Sequence, residues 1–246
     1  MLKSEKARPR LLPRWVWGAS ACLLLLPASA AAQRLVGSVS GFEYMTNPVW
    51  AEAKDPSKRG YSFRELVPTV PAQYRKLFPH IPKELCLVAL STEARKASPP
   101  VLIRVGGGRT TPVTIAVTPG TRLIFQNTDP FTHRLYGVGL KEFSANDSIK
   151  GSQREWTVPA AGTFEIRDEL APSLRMWVVA DPHVAAISYP SKKGDFVLNV
   201  AEPGTYTVQA YFAGQKVGAP AAAEADGKDL KLAPIVVGKK NDEKAD

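Results

Sequence analysis

Val113-Thr114-Ile115-Ala116-Val117-Thr118-Pro119-Gly120-Thr121-Arg122-Leu123-Ile124-Phe125-Gln126-Asn127-Thr128-Asp129-Pro130-Phe131-Thr132-His133-Arg134-Leu135 is the stretch on which the fold turns. Val113, Ile115 and Val117 alternate with Thr114, Ala116 and Thr118, the period of two that marks a half-buried strand. Proline then presets a turn and glycine supplies the backbone angle other residues avoid. A second strand follows and runs into a polar turn that ends at a histidine. The same grammar recurs downstream. Phe164 and Ile166 alternate with Glu165 and Arg167, Phe196-Val197-Leu198-Asn199-Val200 alternates again, and Tyr206, Val208, Ala210 and Phe212 are set between Thr205, Thr207, Gln209 and Tyr211. Pro159-Ala160-Ala161-Gly162-Thr163 and Pro203-Gly204-Thr205 repeat the turn. Short strands and turns at this spacing predict an all-β sandwich architecture.

Composition agrees with a folded chain that buries a core. Of 246 residues 44% are apolar and 22% charged, with 18 Gly and 21 Pro. No later apolar run is long enough to cross a bilayer, which excludes a multi-span membrane protein. At the amino terminus Lys3, Lys6, Arg8, Arg10 and Arg14 precede the apolar run Trp15 to Leu26, and Ala28-Ser29-Ala30-Ala31-Ala32 follows. That is the pattern of a secretory signal peptide over 1–32, cleaved before Gln33. Cys22 lies inside the apolar run rather than at its end, so a lipid anchor is not expected. The expected location is periplasmic or secreted, with no transmembrane span after cleavage.

The leader carries those five basic residues and one acid, Glu5, so its removal lowers the formal charge from +9 to +5. The remaining Lys and Arg are scattered without interleaved aromatics, which argues against nucleic acid as a partner. Only Cys86 remains, within Leu85-Cys86-Leu87-Val88-Ala89-Leu90, so no intrachain disulfide can form and the thiol reads as a small buried hydrophobe. From Gly41 to Pro82 six prolines and short helical patterns such as Ala72 to Phe78 suggest a partly helical insertion, either a binding element or a packed flap. Gly106-Gly107-Gly108, with no helix or Lys-Ser/Thr behind it, reads as a flexible link and not as a phosphate loop. Val217 to Lys228 is rich in Ala, Gly and Asp, Leu230 to Val237 suits a last strand, and 239–246 is a charged tail.

The 113–135 stretch resembles the cupredoxin domain, in which strand, Pro-Gly turn and strand lead to Asn-x-Asp-Pro-x-x-His with the histidine as first copper ligand. His133 occupies that position. Gly162 to Val179 resembles the family's ligand loop and final strand, where Cys-x-x-His-Pro-x-Met is expected. In that register Asp168 stands for the cysteine, Ala171 for the histidine and Leu174 for the methionine. A blue-copper centre needs a soft thiolate, two imidazoles and a weak axial thioether. Three of the four ligands are therefore missing. Met176 lies two residues further along and Cys86 lies outside the loop, so neither restores the set. The resemblance implies that His133 and Asp168 meet at one end of a sandwich. His133 is left as a weak metal ligand, the relic of a copper site, and no cofactor is expected.

Val178 to Ser188, followed by Gly194 to Val208 with its Gly194-Asp195-Phe196-Val197-Leu198 and Pro203-Gly204-Thr205-Tyr206-Thr207-Val208 segments, is similar to the carboxypeptidase-regulatory-like, transthyretin-like module. Bacterial periplasmic proteins labelled methylamine-utilisation-like join the two units in this order. The implied architecture is a cupredoxin-like Greek-key sandwich plus a smaller transthyretin-like β-sandwich with a partly helical N-terminal insertion. The organisation expected is 33–96 for the first strands of the transthyretin-like module with the insertion, 97–180 for the cupredoxin-like domain, and 181–238 for the remainder of the module.

No enzyme is expected. His80, His133 and His183 lie in separate contexts, Gly-x-Ser-x-Gly and His-Glu-x-x-His are absent, and Asp168 and Glu169 would point to opposite faces of a strand. The terminal Tyr-Arg-Gly-Ser signature of transthyretin-like purine hydrolases is absent as well. The reading is an exported, non-catalytic binding or structural protein of the cell envelope, its partner an unknown envelope protein or surface polymer. Trp156, Trp177, Tyr189 and Tyr211 are the aromatic candidates for polymer contact, with a core role open for each. The alternative is a periplasmic copper-binding or electron-transfer protein with a reduced ligand set.

Overall fold

The computed structural model describes residues 32–54 and 79–239. The leader up to residue 31, the segment 55–78 with its helical pattern, and the tail from residue 240 onward lie outside the described residues. The fold is all-β. The strands are β1 (Gln33–Ser40), β2 (Leu85–Ser91), β3 (Val101–Gly106), β4 (Arg109–Thr111), β5 (Thr114–Val117), β6 (Arg122–Asn127), β7 (Leu135–Gly137), β8 (Gln153–Thr157), β9 (Gly162–Asp168), β10 (Arg175–Ala180), β11 (Val184–Ser188), β12 (Asp195–Val200), β13 (Gly204–Phe212), β14 (Gln215–Ala225), β15 (Leu230–Lys231) and β16 (Ile235–Val236). Among the described residues between β1 and β2 are the short helices α1 (Pro48–Lys54) and α2 (Ile81–Glu84).

Strands β3 to β10 form one sandwich. One sheet runs β4-β3-β6-β8 and the other β5-β10-β9-β7, with the β3/β6 and β5/β10 pairs parallel and the rest antiparallel. Alternate side chains of both sheets meet in a core of Ile103, Phe125, Leu135, Trp156, Ile166, Leu174 and Met176 with their neighbours. The chain before and after this block forms a second sandwich, β11-β2-β13-β14 against β12-β1-β15 with β16 also on β1. Its core holds Leu35, Leu87, Phe196, Leu198, Tyr206 and Val208. Each large apolar side chain so buried contributes about 1.5–3 kcal/mol relative to exposure. Gly37 pairs with Phe196, whose ring sits 2.5 Å from where a Cβ at position 37 would stand, so glycine alone lets that ring fold across β1.

Strand β5 departs from the half-buried reading. All four of its residues are buried, because Thr114 and Ala116 face away from their own core and toward the second sandwich. A third cluster of Cys86, Val88, Ala116, Val179, Val184 and Tyr211 fills the space between the sandwiches. Local alternation reports one buried face, and a second partner on the other face has no local signal. The same packing decides the aromatics. Trp156, Trp177 and Tyr211 are buried and Tyr189 is half-buried, its hydroxyl donating to Thr114 O, so these rings pack inside rather than forming a polymer-binding surface.

Two turn regions also differ from the sequence reading. Gly107 and Gly108, at φ 64° and 71°, close a tight β3–β4 hairpin instead of a loose link. The Ala- and Gly-rich stretch after Phe212 is the eleven-residue edge strand β14, and the last strand is split into the two-residue β15 and β16.

Candidate functional site

The polar turn after β6 is wound by Asn127. Its Oδ1 accepts the Asp129 N–H at 2.8 Å, and its Nδ2 donates to Phe131 O at 2.8 Å and Ser148 O at 2.7 Å. An Asx turn of this kind lets a short amide replace a main-chain hydrogen bond. It reverses the chain so that Asp129 and His133, four residues apart, face each other. His133 is then fixed by main-chain pairing to Ser148, N–H to O at 3.0 Å and O to N–H at 2.8 Å. Its ring is fully buried and packs against Phe131 with centroids 5.0 Å apart.

Asp168 arrives from the end of β9, where it pairs with Leu135 one strand away. His133 Nδ1 lies 2.5 Å from Asp168 Oδ2, and His133 Nε2 lies 3.0 Å from Asp129 Oδ2. The structure thus brings His133 and Asp168 together and adds Asp129. Each carboxylate is anchored by its other oxygen. Asp168 Oδ1 accepts the N–H groups of Arg134 at 3.2 Å, Leu170 at 2.8 Å and Ala171 at 3.2 Å. Asp129 Oδ1 accepts the Gly107 N–H at 2.9 Å, which together with His133 holds its carboxyl below the usual carboxylate range. Two contacts between ring nitrogens and carboxylate oxygens require two protons among three groups, and the ring carries both when both carboxyls are ionised. The arrangement is a carboxylate–imidazole–carboxylate clamp.

Sequence reasoning selects His133 and Asp168 but misses Asp129. The signal for it is the Asn-x-Asp-Pro spacing that brings a carboxylate back toward the histidine, legible only once the Asn127 turn is known.

The other register positions hold no donor. Ala171 is half-buried against the core, and Leu174 is fully buried within it. Met176 is buried in the same core, while Cys86 is buried between the sandwiches in the separate third cluster, where desolvation pushes its thiol up to about 12. A blue-copper ion therefore does not fit the residues present. One imidazole has both nitrogens engaged, a carboxylate held by backbone stands where the thiolate is required, and the remaining positions are apolar. Among the described residues no group of three or more His, Cys, Asp or Glu is arranged to hold a metal ion. His80 and His183 are half-buried loop residues distant in sequence from this turn. Glu169, just past the end of β9, is exposed and pairs with Arg134 at 2.8 Å.

No family model matches the sequence, and no curated protein matches it. Among solved structures, the amicyanin of Paracoccus versutus is 13% identical over 38% of this chain and 91% of its own, with a TM-score of 0.31. A purple cupredoxin from Nitrosopumilus maritimus is 17% identical over 33% of this chain and 99% of its own, with a TM-score of 0.30. A copper-containing nitrite reductase from Thermus scotoductus is 16% identical over 33% of this chain and 22% of its own, also at 0.30.

Proposed function

We propose that this chain is an exported, non-catalytic binding or structural protein of the cell envelope, in which a cupredoxin-like frame has exchanged its metal for an internal ion-pair clamp. The observation that carries the reading is that both nitrogens of His133 are spent on Asp129 and Asp168. A copper ion would have to displace a buried, charge-assisted hydrogen bond and would gain no thiolate in return. The same burial keeps the imidazole from acting as a general base, since a fully enclosed ring reaches no substrate proton.

Export is supported by the basic, apolar and Ala-rich order of residues 1–32. No helix among the described residues is long and apolar enough to cross a membrane. The second sandwich is assigned to the carboxypeptidase-regulatory-like, transthyretin-like class on the Asp195-Phe196 and Pro203-Gly204-Thr205-Tyr206 segments, and the partner is an envelope protein or surface polymer rather than nucleic acid.

The test is metal analysis of the purified mature protein with an absorption spectrum after copper addition. The expected result is no intense visible thiolate charge-transfer band. Stoichiometric, tightly held copper with such a band, abolished by His133→Ala, would overturn the scaffold reading in favour of a reduced copper site.

A further inference from the structure

A small groove beside the Gly107–Gly108 turn has the chemistry of a ligand site. It has a volume of about 250 Å³ and is walled by Asn47, Glu84, Arg109, Ser173, Arg175 and Trp177. These come from the chain around α1 and α2, the β3–β4 hairpin and the start of β10, so the groove lies where the insertion meets the first sandwich. Junctions of this kind are where ligand pockets concentrate, and the volume falls below that of a drug-sized site. The occupant is therefore small.

Charge on the walls selects its chemistry. Glu84 is 8% exposed, and among the described residues its carboxylate receives one hydrogen bond, from Asn47 Nδ2 at 3.2 Å, and no cation. A buried carboxylate with one neutral partner is costly unless a further donor, preferably charged, completes it. Arg175 does not supply that charge, because its guanidinium is engaged by Glu52 and by Glu165 at 3.7 Å. Arg109 is exposed and makes no ion pair among the described residues. Among the described residues, the groove is thus lined by a carboxylate with no cation partner and a guanidinium with no anion partner, together with Ser173 and Trp177.

We propose that this groove binds a free α-amino acid, whose ammonium group donates to Glu84 and whose carboxylate is taken by Arg109. Trp177 supplies the apolar surface for the ligand side chain. The proposal does not involve His133 and goes beyond the scaffold reading, since it assigns a ligand class to a different place in the fold.

Calorimetric titration of the mature protein in copper-free buffer with each of the twenty amino acids tests it, whatever the copper experiment gives. Saturable one-to-one binding of at least one unmodified amino acid is expected. It should weaken about tenfold or more when that ligand is N-acetylated or its carboxylate is amidated, and by a similar factor in Glu84→Gln and in Arg109→Gln, as loss of a charge-assisted bond implies. Circular dichroism of both variants establishes that they are folded, and Arg109→Gln changes only an exposed side chain. The absence of saturable binding by all twenty, or binding that tolerates both N-acetylation and Glu84→Gln, overturns the proposal.

Discussion

Replacing His133 by alanine removes the central member of the clamp and leaves two anchored carboxylates facing a space with no counter-charge. The substitution breaks the hydrogen bonds from the ring to Asp129 and to Asp168. A hydrogen bond between charged groups is worth about 1.5–3 kcal/mol, so the pair amounts to about 3–6 kcal/mol before relaxation. Asp168 keeps its three backbone N–H donors and Asp129 keeps Gly107, and the Asp129 side chain, 12% exposed, admits water on one side. Those residual interactions bring the expected destabilisation to about 3–5 kcal/mol, the cost of removing one partner from a buried ion pair. The typical single substitution costs about 0.5–3 kcal/mol, so the effect stands above it. The assay is urea denaturation at neutral pH followed by both tryptophan fluorescence and far-ultraviolet circular dichroism, with coincident transitions required. With a slope of about 3 kcal/mol per M, the midpoint should fall by more than about 1 M. Asp168→Ala in the His133→Ala background should cost much less than in the wild type, a coupling of about 2 kcal/mol or more. A destabilisation below about 1 kcal/mol at unchanged slope, or additive single and double variants, would refute the clamp.

Acid unfolding probes the other end of the triad. Because Gly107 and His133 depress the Asp129 carboxyl, its contribution is fully present above the ordinary aspartate value of about 3.9 and is lost as pH falls through the lower folded value. Asp129→Asn should therefore be less stable than wild type at neutral pH, with the gap closing below about pH 4; a gap constant across that range would show that Asp129 is not ionised in the clamp. Cys86, buried between the sandwiches with its thiol pushed up to about 12, should resist iodoacetamide in mildly alkaline buffer in the native protein and react on unfolding. Rapid native alkylation would mean that the sandwiches separate readily.

The alternating strands β5, β6, β9, β12 and β13, the Pro-Gly turns that lead into them and the identity of the residues at the ligand positions were legible in the sequence, because period-two alternation and Pro-Gly punctuation are local properties of the chain. The replacement of thiolate by carboxylate at Asp168 was legible in the same way. The burial of Thr114 and Ala116 was not, nor the inward packing of Trp177 and Tyr211, since both depend on a second sandwich folded from residues far away in the chain. Strand β14 has no comparable signature because Ala and Gly carry almost no alternation to read, and its pairing with β13 supplies the order its side chains do not. The clamp shows the division most clearly. Sequence placed an imidazole and a carboxylate in two loops, but only the Asn127 turn brings Asp129 to the second ring nitrogen, and only the β7–β9 pairing brings Asp168 to the first. Whether a histidine is a vacant ligand or a satisfied hydrogen-bonding group depends on what meets each nitrogen within about 3 Å, a distance that long-range strand register sets.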